Sequence, residues 1–199
     1  GVTGTNGKTT ITYLLKTVLE KTLGAKVGLI GTIQNMVGDT VIHTERTTPE
    51  SFELQKLFSE MVEAGCTHCV MEVSSHALVL HRADEISFET GIFTNLTEDH
   101  LDFHKTMEAY CEAKAMLFTR CRHGVVNTDD AYAPKIMQHA TCSLLRYAEN
   151  DKTADLRAEN IALCADHVSF TAKTKDESAD VRLAIPGGFT VYNALAVVG

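Results

Sequence analysis

Tryptophan is absent from these 199 residues, proline occurs three times, and no apolar run reaches the length of a membrane span. No basic-then-apolar leader is visible either, so the expectation is a cytoplasmic protein with no membrane partner. An excess of positive charge is also missing: 18 Lys and Arg stand against 26 Asp and Glu, a net charge of -8. That balance argues against a general nucleic-acid binder, while leaving room for a local basic cluster around a bound phosphate. Repeats and low-complexity tracts are lacking, and the length suits one large domain with a buried core.

A cysteine framework is the last absence. Cys66-Thr67-His68-Cys69 has the CxxC spacing of zinc or redox sites, yet a structural zinc needs a second ligand pair at comparable spacing. Cys111, Cys121, Cys142 and Cys164 stand alone in the sequence. The expectation is reduced thiols, buried or half-buried.

What is present alternates helix and strand, the pattern of a mainly parallel sheet with helices on both faces. Ile11, Leu14, Leu15, Val18 and Leu19 recur at helical spacing, and Gly24 sits where a helix stops. Lys26 to Gly31 reads as a strand, and residues 32 to 44 as a hairpin about Gly38-Asp39. Thr48-Pro49 predicts a helix with Thr as cap and Pro at its first position, Phe52, Leu57, Phe58, Met61 and Val62 facing inward and Gly65 ending it. Cys69 to Val73 and Gly91 to Leu96 read as compact strands, and Met107 to Cys121 as a well-covered helix. Further strands are expected at 124–127 and 143–147, around a helix at 132–139. From Asp155 onward, segments 156–163, 167–174 and 181–185 alternate as a small antiparallel sheet appended to the main one. The predicted class is therefore α/β: a three-layer α/β/α domain of the phosphate-loop type.

Gly4-Thr5-Asn6-Gly7-Lys8-Thr9-Thr10 carries the most specific chemistry. Glycines let backbone N–H groups close around phosphate oxygens, and the helix that follows aims its positive end at them. Lys8 then reaches the β and γ phosphates, and the Thr9 hydroxyl suits Mg²⁺. The general pattern GxxxxGK[ST] asks for Gly at position 2, where this chain has Val2. Gly1 already lies within the loop, and Tyr192 to Gly199 read as opening turns of a helix, so the chain is taken as an excerpt of a longer protein.

Three further segments end or follow strands, where α/β proteins place their sites. Glu72 is a lone carboxylate at the tip of an apolar strand; either Mg²⁺ compensates its burial, or it is a solvated strand end. The stretch Asn95 to Asp102 is dense in oxygen and nitrogen ligands, and His100 is either a ligand or a satisfied structural histidine. Asp102 and His104 read as surface or capping residues. Lys114 sits among uncharged neighbours, where lysine stems also snorkel to solvent.

Together these stretches resemble the Mur ligase family over essentially all 199 residues, as its central ATP-binding domain. The family loop TGTNGKT is matched by Thr3 to Thr9, and the segments Met71 to Leu78, Thr94 to His104 and Ala113 to Phe118 follow in the family's order. Thr47-Thr48-Pro49 favours the branch that extends UDP-N-acetylmuramoyl-L-alanyl-D-glutamate with a diamino acid, meso-diaminopimelate or L-lysine. The resemblance implies an ATP-dependent ligase acting on small molecules, with a UDP-binding domain before this one and an amino-acid-binding domain after it. It implies catalytic roles for Lys8, Glu72, His100 and Lys114, the last as a carbamylated lysine. Two Mg²⁺ would be held among Thr9, Glu72, His100 and Lys114. ATP would lie on Gly4 to Thr10, with Asn193 at the adenine. Thr47, Thr48, Ser74 and Arg82 would bind the muramoyl dipeptide. Three positions depart from the pattern: Arg46 for a common Asn, Leu80 for a Gln and Thr190 for another Asn. A folylpolyglutamate synthetase, a sibling peptidoglycan ligase, and a phosphate-loop kinase or regulatory NTPase are the competing readings.

Overall fold

The computed structural model describes residues 1–199. In chain order the first half holds β1 (Val2–Thr3), α1 (Lys8–Leu23), β2 (Val27–Ile30), β3 (Asn35–Val37), β4 (Thr40–Ile42), α2 (Ser51–Glu63), β5 (His68–Met71) and α3 (Ser75–Val79). Next come β6 (Phe88–Phe93), α4 (Leu101–His104), α5 (Met107–Ala115) with a 3₁₀ turn at Met116–Thr119, β7 (Cys121–Asn127) and α6 (Ala133–His139). The chain ends with β8 (Ser143–Ala148), β9 (Leu156–Leu163), β10 (Val168–Lys173), β11 (Ser178–Leu183) and α7 (Phe189–Val198).

A seven-stranded sheet runs β1-β6-β7-β8-β9-β10-β11, parallel from β1 through β9 and antiparallel beyond. The expected antiparallel strands are thus continuous with the main sheet, joined where Tyr147 and Ala148 pair with Leu156 and Arg157. A second sheet runs β4-β3-β2-β5, and a parallel bridge from Val2 to Glu72 links it to β1. Because β-strand side chains alternate in direction, neighbours on one strand serve opposite cores. Phe93 and Val126 pack with Leu54, Leu78, Tyr110, Phe118 and Ile136 on one face. Ile92 and Val125 pack with Ile11, Tyr147, Val191 and Leu195 on the other. These are the three layers.

Local rules account for most boundaries. α1 starts after Gly7 and stops at Gly24, both with positive φ. Its predicted apolar face is only partly realised: Ile11 is buried, but Val18 is 40% exposed, and Lys16 takes an inward position. The Lys16 ammonium donates to Val27 O and Gly38 O, both at 3.1 Å, and pairs with Glu20, which makes its burial tolerable. α2 starts two residues later than Thr48-Pro49 suggested. Glu50 is its cap and forms a reciprocal capping box with Glu53. Its inward face is Leu54, Leu57 and Met61, whereas Phe52 and Val62 are exposed. The cysteine expectation also changes: Cys69 and Cys164 are exposed, and Cys121 and Cys142 are not isolated, their sulfurs lying 3.5 Å apart.

Candidate functional site

The loop between β1 and α1 is shaped by contacts with residues 94–97. Gly4 has φ +147°, and a side chain there would collide with the Thr94 hydroxyl 1.8 Å away. Thr5 N–H donates to Asn95 O (2.9 Å), and Asn6 N–H to Asn95 Oδ1 (3.0 Å). Thr94 Oγ1 and Asn95 Nδ2 donate to Asn6 O at 2.7 and 3.1 Å. Thr97 N–H donates to Thr5 Oγ1 (3.0 Å). The polar density of residues 95–102 is therefore used in part to clamp the loop. At its other end, the first helical backbone bond of α1 is Ile11 N–H to Gly7 O (3.0 Å). The earlier amides of that turn have no helical partner and point where an anion binds.

Lys8 stands over this cradle. Its Nζ donates to Gly4 O (2.9 Å) and Thr5 O (2.8 Å), and burial holds its pKa below the ordinary lysine value against the pull of Glu72 and Asp99. On one flank is Glu72, 1% exposed. Its Oε1 accepts from Thr9 Oγ1 (2.9 Å) and Thr32 N–H (3.0 Å), and its Oε2 from Thr32 Oγ1 (2.9 Å). Gly31 leaves room for this carboxylate, since a Cβ there would sit 2.6 Å from Oε1. Thr9 and Glu72, far apart in sequence, thus form one oxygen-rich corner beside the loop. These are hard ligands of the type that Mg²⁺ takes, so the residues fit the ion.

The residues expected at the peptide join the same corner. Thr47 Oγ1 lies 3.0 Å from Thr32 Oγ1. The buried Thr48 hydroxyl donates to Glu72 O (2.8 Å) and accepts from Ser74 N–H (3.0 Å), so it braces the strand end. Ser74 Oγ caps α3 by accepting from Ala77 N–H (3.1 Å). Arg82 donates to Thr48 O (3.3 Å) and pairs with Glu50 Oε1 (2.8 Å).

On the opposite flank, Lys114 is 1% exposed and donates to Gly4 O (2.9 Å), with Nζ 4.3 Å from the Tyr110 ring centroid. Burial, with Lys8 nearby, pushes its pKa well below the ordinary lysine value. His100 is exposed, in the left-handed region at φ 52°, with Nε2 3.4 Å from Asp99 Oδ2 and its ring 5.0 Å from that of His76. No group of three or more His, Cys, Asp or Glu side chains is assembled as a metal cluster. Beyond the loop, Asn193 is buried, with Oδ1 2.5 Å from where a Gly7 side chain would begin. A cavity of about 410 Å³ opens there, lined by Asn6, Thr10, Asn127, Phe189, Tyr192 and Asn193.

The family pattern described as the Mur ligase middle domain matches residues 2–199 of this phosphate-loop chain. The chain belongs to the Mur ligase family. It is 49% identical over 199 residues to the UDP-N-acetylmuramoyl-L-alanyl-D-glutamate--2,6-diaminopimelate ligase of Clostridium botulinum, covering 100% of this chain and 41% of that protein. A solved structure of a ligase of that name superposes with a TM-score of 0.91 at 31% identity, covering 99% of this chain and 41% of the other. The fold is shared with the MurF ligase of Thermotoga maritima in complex with ADP, at a TM-score of 0.69 and 16% identity, covering 100% of this chain and 43% of that one. The chain thus spans about 41% of the relative's length.

In this Mur ligase domain, sequence reasoning missed several site residues. Thr32 carried no motif that could be read locally, and Thr94 opened the Thr94 to His104 segment without being assigned a role. Tyr110 was not singled out within the predicted helix, and is 1% exposed. His104, expected at the surface, is 7% exposed and bonds Ser75 Oγ through Nε2 at 2.8 Å. That contact spans 29 residues, beyond any local pattern.

Proposed function

We propose that this chain is the nucleotide-binding and acyl-activating domain of a cytoplasmic, ATP-dependent ligase of peptidoglycan-precursor synthesis. It would join diaminopimelate to UDP-N-acetylmuramoyl-L-alanyl-D-glutamate, with UDP-binding and amino-acid-binding domains flanking it in the whole enzyme. The single observation that carries this reading is the Thr9–Glu72 bond at 2.9 Å. It joins the phosphate loop to the strand end that also organises Thr47, Thr48, Ser74 and Arg82.

In this reading the D-glutamyl carboxylate attacks the γ-phosphorus of ATP, ADP leaves, and the acyl phosphate is attacked by the incoming amine. Phosphate departs as the amide forms, and the amine gives up a proton. The two anions that must meet first repel each other. Lys8 and the free amides of the α1 N-terminus offset that repulsion where charge is transferred. Thr9 and Glu72 would hold Mg²⁺, which when bound would supply further neutralisation of phosphate charge. His100 is retained in the site as a candidate for a second ion. Lys114, buried beside Lys8 and with its pKa pushed well below the ordinary lysine value, is suited to take up CO2 as a carbamate. Asn193 and the adjoining cavity would receive the adenine.

The test uses the full-length enzyme with ATP, UDP-N-acetylmuramoyl-L-alanyl-D-glutamate and diaminopimelate. Sustained, multiple-turnover ADP release should require both other substrates, and Lys8→Ala should lower it by about 10²-fold or more. A stable phosphate ester as product, or unchanged turnover in Lys8→Ala, would overturn the reading.

A further inference from the structure

We propose that Tyr110, with His104 and Ser75, is a positioning chain that lets the phosphate loop and the peptide-binding loop around Ser74 sense each other's occupancy; this rests on the ligase reading above. Tyr110 reaches the Gly4-Thr5 end of the loop in two ways. Its hydroxyl lies 3.3 Å from Thr5 Oγ1, and its ring carries the Lys114 amine 4.3 Å from the centroid. The same ring stacks on His104 at 4.8 Å and 27°. His104 Nε2 then bonds Ser75 Oγ at 2.8 Å, and Ser75 follows Ser74, whose N–H is held by Thr48.

The chain has a physical reason to move. Gly4 O accepts from both Lys8 and Lys114, and Thr5 O accepts from Lys8 as well. When Lys8 turns to a triphosphate it must leave both carbonyls, and Lys114 remains as the side-chain donor on Gly4 O. The Thr5 hydroxyl is already committed, since it accepts from Thr97 N–H at 3.0 Å and lies 3.3 Å from Thr97 O. A readjustment of Gly4-Thr5 is therefore passed to Tyr110 and Lys114. Tyr110 and Lys114 are 1% exposed, Ser75 2% and His104 7%, so packed atoms rather than water absorb the shift.

The experiment measures coupling in the full-length enzyme. Calorimetry gives the Kd for UDP-N-acetylmuramoyl-L-alanyl-D-glutamate with and without saturating Mg²⁺ and a non-hydrolysable ATP analogue. The wild type should show a coupling factor of about fivefold or more. Tyr110→Phe removes only the hydroxyl that reaches Thr5 and keeps both ring contacts. Ser75→Ala removes only the far end. Each should keep both separate affinities within about twofold of wild type while the factor drops below about twofold. Tyr132→Phe, outside the chain, should leave it unchanged. Coupling preserved in both Tyr110→Phe and Ser75→Ala sinks the inference alone, as does an uncoupled wild type. A wild type that binds nucleotide but no muramoyl peptide sinks the ligase reading and this inference together. A side chain that only props up the fold would change thermal stability and leave the factor alone.

Discussion

The two flanks of the phosphate loop solve opposite electrostatic problems. On the Glu72 flank a carboxylate at 1% exposure is surrounded by donors, the Thr9 and Thr32 hydroxyls and the Thr32 amide. Each donor replaces a water that the carboxylate lost on burial, so its hydrogen-bonding capacity is met. On the α5 flank Lys114 is equally buried, yet its contacts are a carbonyl and an aromatic face, with the charges of Lys8 and Asp99 acting on it in opposite directions. No carboxylate pairs with it, and burial, with Lys8 nearby, pushes its pKa well below the ordinary lysine value against the pull of Asp99. One flank thus buries a carboxylate among hydrogen-bond donors, and the other buries an amine with no paired anion. The proposed Mg²⁺ site would use the first, and the proposed carbamate on Lys114 would use the second.

The largest effect should come from breaking the Glu72 flank. Glu72→Gln keeps the shape and leaves Thr9 and Thr32 with partners, since the amide oxygen still accepts and Thr32 Oγ1 can accept from the amide N–H. It removes the negative charge that would hold Mg²⁺. Turnover of the full-length enzyme should fall about 10²–10³-fold, with a circular dichroism spectrum like that of wild type. Activity within tenfold of wild type would show that Glu72 is a structural strand end.

Lys114→Met probes the other flank and should act on stability with the opposite sign to an ordinary core mutation. The change removes a buried amine while keeping most of its volume, and Gly4 O retains Lys8 as donor. Urea unfolding of the full-length enzyme should show stability unchanged or raised, by up to about 1–3 kcal/mol. Turnover should nevertheless fall sharply. A loss of stability comparable to a cavity mutation would mean that Lys114 is well satisfied as it stands, and the contrast between the flanks would collapse.

How far the sequence disclosed these flanks follows from the range of each interaction. The loop and α1 were legible because Gly7 and Gly24 punctuate them locally, and the adjacent pairs Ile92-Phe93 and Val125-Val126 fit strands covered on both faces. Glu72 stood out as a charge in an apolar run. The start of α2 was misread because Thr48-Pro49 obeys a local capping rule, while the Thr48 hydroxyl is committed to Glu72 O and Ser74 N, more than twenty residues away. Glu50 and Glu53 carried the true signal, a capping box built from two glutamates. Phe52 and Val62 were assigned inward because apolar spacing cannot tell which of two flanking stripes the sheet will cover. The Tyr110–Thr5 and His104–Ser75 contacts depend wholly on how α3, α4 and α5 meet the loop, so no window of sequence contains them.

The smallest effect expected is a pH dependence confined to the α5 flank. Burial first, then the charges of His76, Lys114 and His100, lower the His104 pKa from 6.5 to about 4, with Asp102 opposing. Between those values the unfolded chain binds a proton that the native imidazole refuses. Stability should therefore rise with pH from about 4 to 6.5 and be flat in this term above, equivalent to roughly 2 kcal/mol lost on acidification through the window. Asp151, bonded by Thr153, and Asp155, bonded by Arg146, have lowered pKa values, and their contributions are lost at still lower pH. Urea midpoints at pH 7 and pH 4.5 separate the two effects. Replacing the ring in His104→Gln should erase about 1–2 kcal/mol of the wild-type loss between those conditions, while a Glu72→Gln enzyme should retain it. An equal acid loss in wild type and His104→Gln would place the sensitivity elsewhere and remove His104 from the account of why this flank excludes charge.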